Sequence, residues 1–293
     1  MGFHEGELAV QRGAGVQAQA RRLQGMLDPA DLSGGAAMFL ALQSFAALTG
    51  RDRDGVLWTA PLSAPPGFLR GHDDVLQIAT RPRDGDPLRD LPVGQQVGLI
   101  AIDFNARRRM RINGVLVPAD GDSLAVQVDQ AYGNCPQYIH RHDSSTMRAE
   151  APGFVRGASL SVPAQALIGH ADTFFLGTTH PTRGNDASHR GGPPGFVRVN
   201  SPTSLWWPDF PGNNMFNSFG NLAVDDEAAL LFSDFTTGAT VQLSGTGRLR
   251  WTPPGAPGDD GGVGRRVEFT VAAAVTSGLG SSEVDSSEVD SAG

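Results

Sequence analysis

Lysine is absent from this chain of 293 residues, and all 23 of its basic side chains are arginines. Without a side-chain amine no internal Schiff base can form, which excludes pyridoxal-phosphate catalysis of the aminotransferase type. A bound phosphate has to be held by guanidinium groups, amides, hydroxyls or backbone N–H. Cysteine is nearly absent too: the single Cys135 permits neither an intramolecular disulfide nor a multi-cysteine metal knuckle. No apolar run approaches the roughly twenty residues of a membrane-spanning helix and no leader pattern is visible, so a soluble, cytoplasmic protein is expected. The net charge of −8 does not suit wholesale nucleic-acid binding. Arg107-Arg-Arg-Met-Arg111, the one dense basic stretch, is too short to change that.

What is present is a repeat. Leu91-Pro-Val-Gly-Gln-Gln-Val-Gly-Leu-Ile-Ala-Ile-Asp-Phe104 returns as Leu222-Ala-Val-Asp-Asp-Glu-Ala-Ala-Leu-Leu-Phe-Ser-Asp-Phe235, an offset of 131 residues (222 − 91). The same offset carries Arg111-Ile-Asn-Gly114 onto Gln242-Leu-Ser-Gly245, and an offset of 128 (193 − 65) carries Pro65-Pro-Gly-Phe68 onto Pro193-Pro-Gly-Phe196. Three landmarks in one order indicate a duplicated fold. Such a duplication rebuilds the interface of a homodimer within one chain, and ligand sites commonly lie between such halves.

The 38 glycines and 20 prolines, with few long helical runs, lean the class toward β. Residues 1–44 read as a helical lead-in. Val16, Ala20, Leu23 and Leu27 predict a helix from about Val10 to Leu27, and a second helix is expected over 35–48. The first copy with its linker spans 45–165, with strands predicted over 97–104, 110–117 and 122–129, and Tyr132 to Ile139 read as a turn into a short helix. The second copy spans 166–276, with strands near 171–178, 240–245 and 265–273. Residues 277–293, which carry Ser-Ser-Glu-Val-Asp twice, read as a disordered acidic tail.

The copies differ in two places. Asn185-Asp-Ala-Ser-His-Arg190 stands opposite the mainly apolar Val56-Leu-Trp-Thr-Ala-Pro-Leu62, so it is either an exposed loop or a strand turned toward a ligand. From Trp206 to Leu222, four asparagines lie among five aromatic residues, which supplies amide donors, flat apolar walls and left-handed turn geometry. The alternative is a turn-rich hairpin whose aromatics enter the core. Arg111 is the member of the basic run best placed to face an anion. His140, His142 and Asp143, and likewise His4 with Glu5 and Glu7, have spacings that a metal uses, but neither set has further ligands and no metal site is expected. Cys135 reads as a structural thiol.

These residues resemble the pyridoxamine 5′-phosphate oxidase-like, FMN-binding split barrels, over roughly 45–117 and 171–250. The order of elements carries the resemblance: Ser188-His-Arg190, then Leu205-Trp-Trp207, then Asn217-Ser-Phe-Gly-Asn-Leu222, then Asp225-Asp-Glu227 and the apolar Ala228-Ala-Leu-Leu-Phe232, with Arg111-Ile-Asn-Gly114 similar to an Arg-x-x-Gly strand of that family. The resemblance implies a mainly β chain with flanking helices, an α+β fold of two tandem antiparallel split β-barrels that form an intramolecular pseudo-dimer. It implies FMN at their interface, its phosphate near Asn217 and Ser218 and its ribityl chain or ring near Ser188, His189 and Arg190. Asn213, Asn214, Arg111 and Gln242 complete the expected set. Ser218 stands where the family usually has a phosphate-binding lysine, and Pro87 takes that place in the first copy, so at most one well-formed site per chain is expected. An FMN-dependent oxidoreductase of unknown substrate follows, reduced by a donor such as NADH or NADPH, monomeric or homodimeric. The alternatives are a non-catalytic flavin or haem-type binding module and a degenerate barrel kept for protein contacts.

Overall fold

In the computed structural model, which describes residues 2–27, 31–133, 136–144, 147 and 153–279, the sequence repeat is a repeat of topology. The chain opens with α1 (Glu5–Gly13), α2 (Gln17–Arg21), a 3-10 turn (Gln24–Leu27) and α3 (Gly34–Ala41). Seven strands follow: β1 (Phe45–Arg51), β2 (Leu57–Ser63), β3 (Leu69–His72), β4 (Val75–Ile78), β5 (Gln96–Asp103), β6 (Arg108–Val117) and β7 (Leu124–Gly133). After β8 (Phe154–Gly157) and α4 (Val162–His170) come β9 (Thr173–His180), β10 (Gly184–Gly191), β11 (Arg198–Ser201) and β12 (Ser204–Pro208). The chain continues through α5 (Asn217–Val224), β13 (Glu227–Ser233), β14 (Thr240–Trp251) and β15 (Arg265–Ser277).

The first sheet runs β2-β1-β5-β6-β7-β4-β3 and the second β10-β9-β13-β14-β15-β12-β11, which is the same order, with β8 added beside β15. Every pairing is antiparallel. Among the described residues neither sheet closes by hydrogen bonding into a barrel; β2 and β3, and β10 and β11, are free ends. No described helix is long and apolar enough to cross a membrane.

The landmark glycines have a physical reason. Register shifts between Asn113 and Gly114 where β6 meets β7, and between Ser244 and Gly245 where β14 meets β15. A Cβ on Gly114 would lie 2.1 Å from the Gln127 carbonyl oxygen, and one on Gly245 1.9 Å from that of Thr270, so each bulge accepts only glycine. A further close approach joins the halves. A Cβ on Gly98 of β5 would lie 2.6 Å from the backbone of Asp186 and Ala187 on β10.

Each sheet has its own core, around Leu48, Trp58 and Leu99 in the first and Phe174, Trp207 and Phe269 in the second. A third cluster mixes Phe45, Ile100 and Phe104 of the first half with Phe175, Leu231 and Phe235 of the second. The halves therefore share an apolar seam, each buried aromatic contributing roughly 1.5–3 kcal/mol. Arg51 and Glu227 close its edge with two parallel hydrogen bonds of 2.9 and 2.7 Å.

The lead-in departs from expectation. α1 begins at Glu5 because His4 and Glu7 form a capping box, and it ends where Gly15 turns the chain at φ 69°. The second helix stops at Ala41, since Phe45 onward pairs with both β2 and β5. Tyr132 and Gly133 finish β7, and residues 136–139 form a turn rather than a helix. Cys135 and the acidic repeat of the tail lie outside the described residues. β8 and α4 occupy what read as a linker.

Candidate functional site

The seam opens at one end into a cleft. β10 supplies Ser188, His189 and Arg190, β6 of the other half supplies Arg109 and Arg111, and the stretch from Trp207 to Phe219 covers them. The non-atom space of the cleft is about 920 Å³ with the open solvent of its mouth included. Asn213, Asn214, Asn217 and Ser218 line it too. Gln242 does not. It sits on β14 in the counterpart position, where its Nε2 donates to the Thr59 carbonyl and to Asp86 Oδ2, both at 3.1 Å. There Asp86 is buried, its carboxyl pushed up to about 6 by burial, and Arg83 lies over the Phe154 ring. In that counterpart position Gln242 stands where Arg111 does in the cleft, and protein side chains pack around it.

The covering loop carries two left-handed residues, Asn214 at φ 62° and Phe216 at φ 60°. Asparagine tolerates this conformation, whereas for a residue as large as Phe216 it costs roughly 1–3 kcal/mol and has to be imposed by the surroundings. Arg265 lies 5.0 Å above the Phe216 ring, and Phe219 stacks beside it at 6.1 Å. Tyr138 and Phe210 stack at 5.2 Å on the same wall. The aromatics of this segment therefore line the cleft as well as the core.

Arg111 joins the two halves. Its Nη1 is 3.1 Å from Asp186 Oδ1 and donates to Tyr132 Oη at 3.3 Å, while Nη2 donates to Ser188 Oγ at 2.8 Å. Burial works against the Arg111 charge, but Asp186 and Tyr132 more than offset it and its pKa rises. Asp186 also accepts from Asn113 Nδ2 at 3.2 Å and from Ser218 Oγ at 3.1 Å. Asn217 Nδ2 donates to Glu7 of α1. The side chains of Ser218 and Asn217 are thus held by protein partners. The cap residue Phe216 offers no side-chain acceptor, and the first amides of a helix have no acceptor within it.

His189 is fixed in one protonation state. Its Nδ1 lies 2.6 Å from Arg109 Nη1; a guanidinium can only donate, so Nδ1 accepts and the ring proton sits on Nε2. Burial first, then the charges of Arg109 and Arg190, push the imidazole pKa well below 6.5. The resulting Nε2–H is buried with no acceptor, as are Arg111 Nε, Arg190 Nε and Trp207 Nε1. All four belong to residues that line the cleft and all four are donors; among the described residues, no side-chain acceptor of the lining residues is left in that state. Arg190 lies 4.6 Å from the centre of the Phe219 ring and 4.0 Å from Asp209, which in turn accepts from Arg265 at 2.9 Å. Burial lowers the Arg190 pKa and raises that of Asp209. Among the described residues, three guanidinium groups, Arg109, Arg111 and Arg190, line the cleft against the single carboxylate of Asp209. The site favours an acceptor-rich anion.

Sequence reasoning did not single out Arg109, Asp186 or Asp209, and it noted Glu7 only beside His4 and Glu5 in a discounted metal spacing. The period of two on a strand was the available signal: Arg109 shares a face with Arg111, and Asp186 shares one with Ser188. His4, Glu5 and His180 come together at the edge of α1, with the His180 Nε2 to Glu5 Oε1 distance 3.3 Å. Both imidazoles accept a backbone amide at Nδ1, from Gly6 and Thr182, so Nε2 carries the proton and offers no lone pair to a metal. His142 hydrogen-bonds Asp172 at 2.9 Å and stacks on Phe235.

No protein-family model matches this sequence, and no curated protein matches it. Solved structures share parts of the fold at low identity. A candidate pyridoxamine 5′-phosphate oxidase from Lactobacillus delbrueckii is 13% identical, with 40% of this chain and 94% of that chain covered and a TM-score of 0.33. A Clostridium acetobutylicum protein related to general stress protein 26, of the pyridoxinephosphate oxidase family, is 16% identical over 36% of this chain and 79% of that chain, with a TM-score of 0.27. The MrkH–c-di-GMP complex from K. pneumonia covers 80% of both chains at 11% identity, with a TM-score of 0.23. At these scores the neighbours assign nothing to the cleft, whose reading rests on its own residues.

Proposed function

We propose that the cleft binds a planar, phosphate-bearing heteroaromatic ligand of the flavin mononucleotide type, and that the chain is an FMN-dependent oxidoreductase built as a pseudo-dimer. One observation carries this reading: a wall of buried donors without acceptors, faced by aromatic rings, beside a helix start with no side-chain cap. Leaving a buried donor unsatisfied costs about 1–3 kcal/mol, so four in one cleft call for a ligand that supplies oxygen or nitrogen acceptors. The phosphate would sit at the start of α5, where helix amides and dipole attract an anion. Arg190 and Arg111 would add charge in place of the lysine that this chain lacks. Tyr138, Phe210 and Phe216 offer flat surfaces for the ring.

When bound, the flavin supplies the electron or hydride chemistry, and the protein's part is to hold and orient it and to exclude water. His189, locked in its neutral Nε2–H form, donates a hydrogen bond and does not exchange a proton near neutral pH. That favours a reaction in which no side chain of the cleft acts as acid or base, and it keeps a non-catalytic flavin carrier as the second reading. Stopped-flow mixing of FMN-loaded protein with NADH or NADPH separates the two. Rapid bleaching of the flavin band supports the oxidoreductase, and a band inert to both donors supports the carrier.

A further inference from the structure

α1 lies outside the repeat, yet it grips the start of α5. Gly6 and Gly220 meet so closely that a Cβ on Gly6 would lie 2.1 Å from the Gly220 carbonyl oxygen, and one on Gly220 2.5 Å from Glu7 Cγ. Three side chains of the N-terminal segment reach across that contact. His4 Nε2 donates to Asn221 Oδ1 at 3.1 Å, Glu7 Oε1 accepts from Asn217 Nδ2, and Gln11 Nε2 donates to the Met215 carbonyl at 3.2 Å. Asn217 is the first residue of α5 and lines the cleft, so the same residue touches Glu7 on one side and the proposed anion site on the other.

Glu7 is only 4% exposed, and its second oxygen accepts from the His4 amide at 2.8 Å. Among the described residues no arginine pairs with it. The basic atom nearest in an ion-pair sense is His4 Nε2 at 3.6 Å, on an imidazole lowered to about 4 by burial and by His180. The charged and titratable groups around it are His4 and Glu5 on its own helix, Asp186 of β10, Arg183 of the turn before β10, His180 of β9, Arg111 of β6, and Asp129 and Tyr132 of β7. Burial first, then Asp186, push the Glu7 carboxyl up to about 7, against the hydrogen bonds from His4 and Asn217 and the charge of Arg183.

We infer that Glu7 is a positioning residue of the cleft, and that an anion seated at the start of α5 is bound together with a proton on Glu7. This rests on the anion-binding reading above. A carboxylate on Asn217 and a phosphate at the α5 amides compete for the same positive helix end and repel one another. The neutral acid accepts from the His4 amide and donates its hydroxyl to the Oδ1 of a turned Asn217 amide, without that repulsion. A ligand that prefers the protonated form must take up a proton where Glu7 is ionised in the free protein, and its affinity falls as pH rises, by at most about tenfold per pH unit.

The test uses the full chain and FMN. Affinity is measured between about pH 7 and about pH 9, above the second ionisation of a phosphate monoester near 6. Proton uptake is read by calorimetry in two buffers of different ionisation enthalpy. The expected result is a dissociation constant that rises several-fold over this range, with a fraction of a proton taken up per FMN bound. In Glu7→Gln both effects should vanish while binding remains: the glutamine oxygen accepts from His4, and a turned Asn217 amide accepts from its nitrogen. A pH-independent affinity without proton uptake in the wild-type protein overturns the proposal, as does equal pH dependence in the variant. If the variant does not fold, the wild-type calorimetry decides alone. Absence of FMN binding at every pH overturns the flavin reading itself and is a distinct outcome.

Discussion

Arg109 Nη1 and His189 Nδ1 lie 2.6 Å apart, one on a strand of the first half and the other on a strand of the second. A residue of one copy thereby sets the tautomer of a residue in the other, and the cleft exists only because both copies are present. Nitrogen-edited NMR of the imidazoles should show His189 still as the neutral Nε2–H form at its ordinary pKa near 6.5. Arg109→Met should let that pKa climb back toward the ordinary value. A His189 that titrates near 6.5 in the wild-type protein contradicts the lock.

Arg190 carries charge, a buried Nε donor and a ring contact with Phe219. Arg190→Ala should weaken FMN binding by about ten- to a hundredfold, the effect of roughly 1.5–3 kcal/mol for a charge-assisted hydrogen bond. Arg190→Lys should recover only part of it, since a lysine keeps the charge and loses the planar fork. Unchanged affinity in Arg190→Ala, read by fluorescence titration, would remove Arg190 from the site.

The two halves should differ in occupancy. Gln242 and Asp86 hydrogen-bond at 3.1 Å in the position that matches the cleft, and Arg83 and Phe154 pack beside them. Equilibrium dialysis should therefore give one FMN per chain. A stoichiometry of two would mean that the counterpart position opens.

The contribution of Glu7 to stability should fall as pH rises from about 4.5 to above 7, while His4, lowered to about 4, and His189, lowered well below 6.5, act in the opposite direction below about 6.5. Glu7 has a folded-state pKa of about 7 against an ordinary value of 4.5, so the folded chain binds more protons than the unfolded chain across that window. The cost of ionising it in the folded state amounts to about 3.5 kcal/mol at most, at about 1.4 kcal/mol per pKa unit. Asp86, pushed up to about 6, acts in the same direction over a narrower range. Over this interval the denaturant midpoints of the wild-type protein should fall relative to those of Glu7→Gln. Parallel curves for the two proteins would place the pH dependence elsewhere.

Gly98→Ala should loosen the junction of the halves, because its Cβ would meet the backbone of Asp186 and Ala187 at 2.6 Å. We expect a loss of stability of about 1–3 kcal/mol, the usual cost of overpacking, together with weaker ligand binding as Asp186 shifts against Arg111. A variant as stable as the wild type, by urea denaturation, would show that β5 and β10 tolerate separation.

Much of the fold was legible because the repeat was legible. Gly114 and Gly245 mark matched bulges, Pro65-Pro-Gly-Phe68 and Pro193-Pro-Gly-Phe196 turn at Gly67 and Gly195 with positive φ, and the runs ending at Phe104 and Phe235 became β5 and β13. The divergent pieces of the second copy, Ser188 to Arg190 and Asn213 to Ser218, did meet in one cleft with Arg111. Gln242 could not be separated from Arg111 by sequence, since an offset of 131 residues equates positions and is silent on which of two equivalent places stays open. The roles of Ser218 and Asn217 were hidden for a different reason. Their partners, Asp186 and Glu7, lie 32 and 210 residues away in the chain and are brought to α5 only by the fold. The lead-in was misplaced because helical spacing from Val16 to Leu27 says nothing of Gly13 and Gly15, which end α1 early, or of His4, which starts it.

The central claim is that the donor-lined cleft holds FMN, and direct titration of the purified protein tests it most simply. Adding FMN should quench its fluorescence and shift its visible band, saturating at one equivalent per chain, with riboflavin bound much more weakly for want of the phosphate. Absence of any spectral change up to millimolar FMN, or equal affinity for riboflavin, would contradict the account.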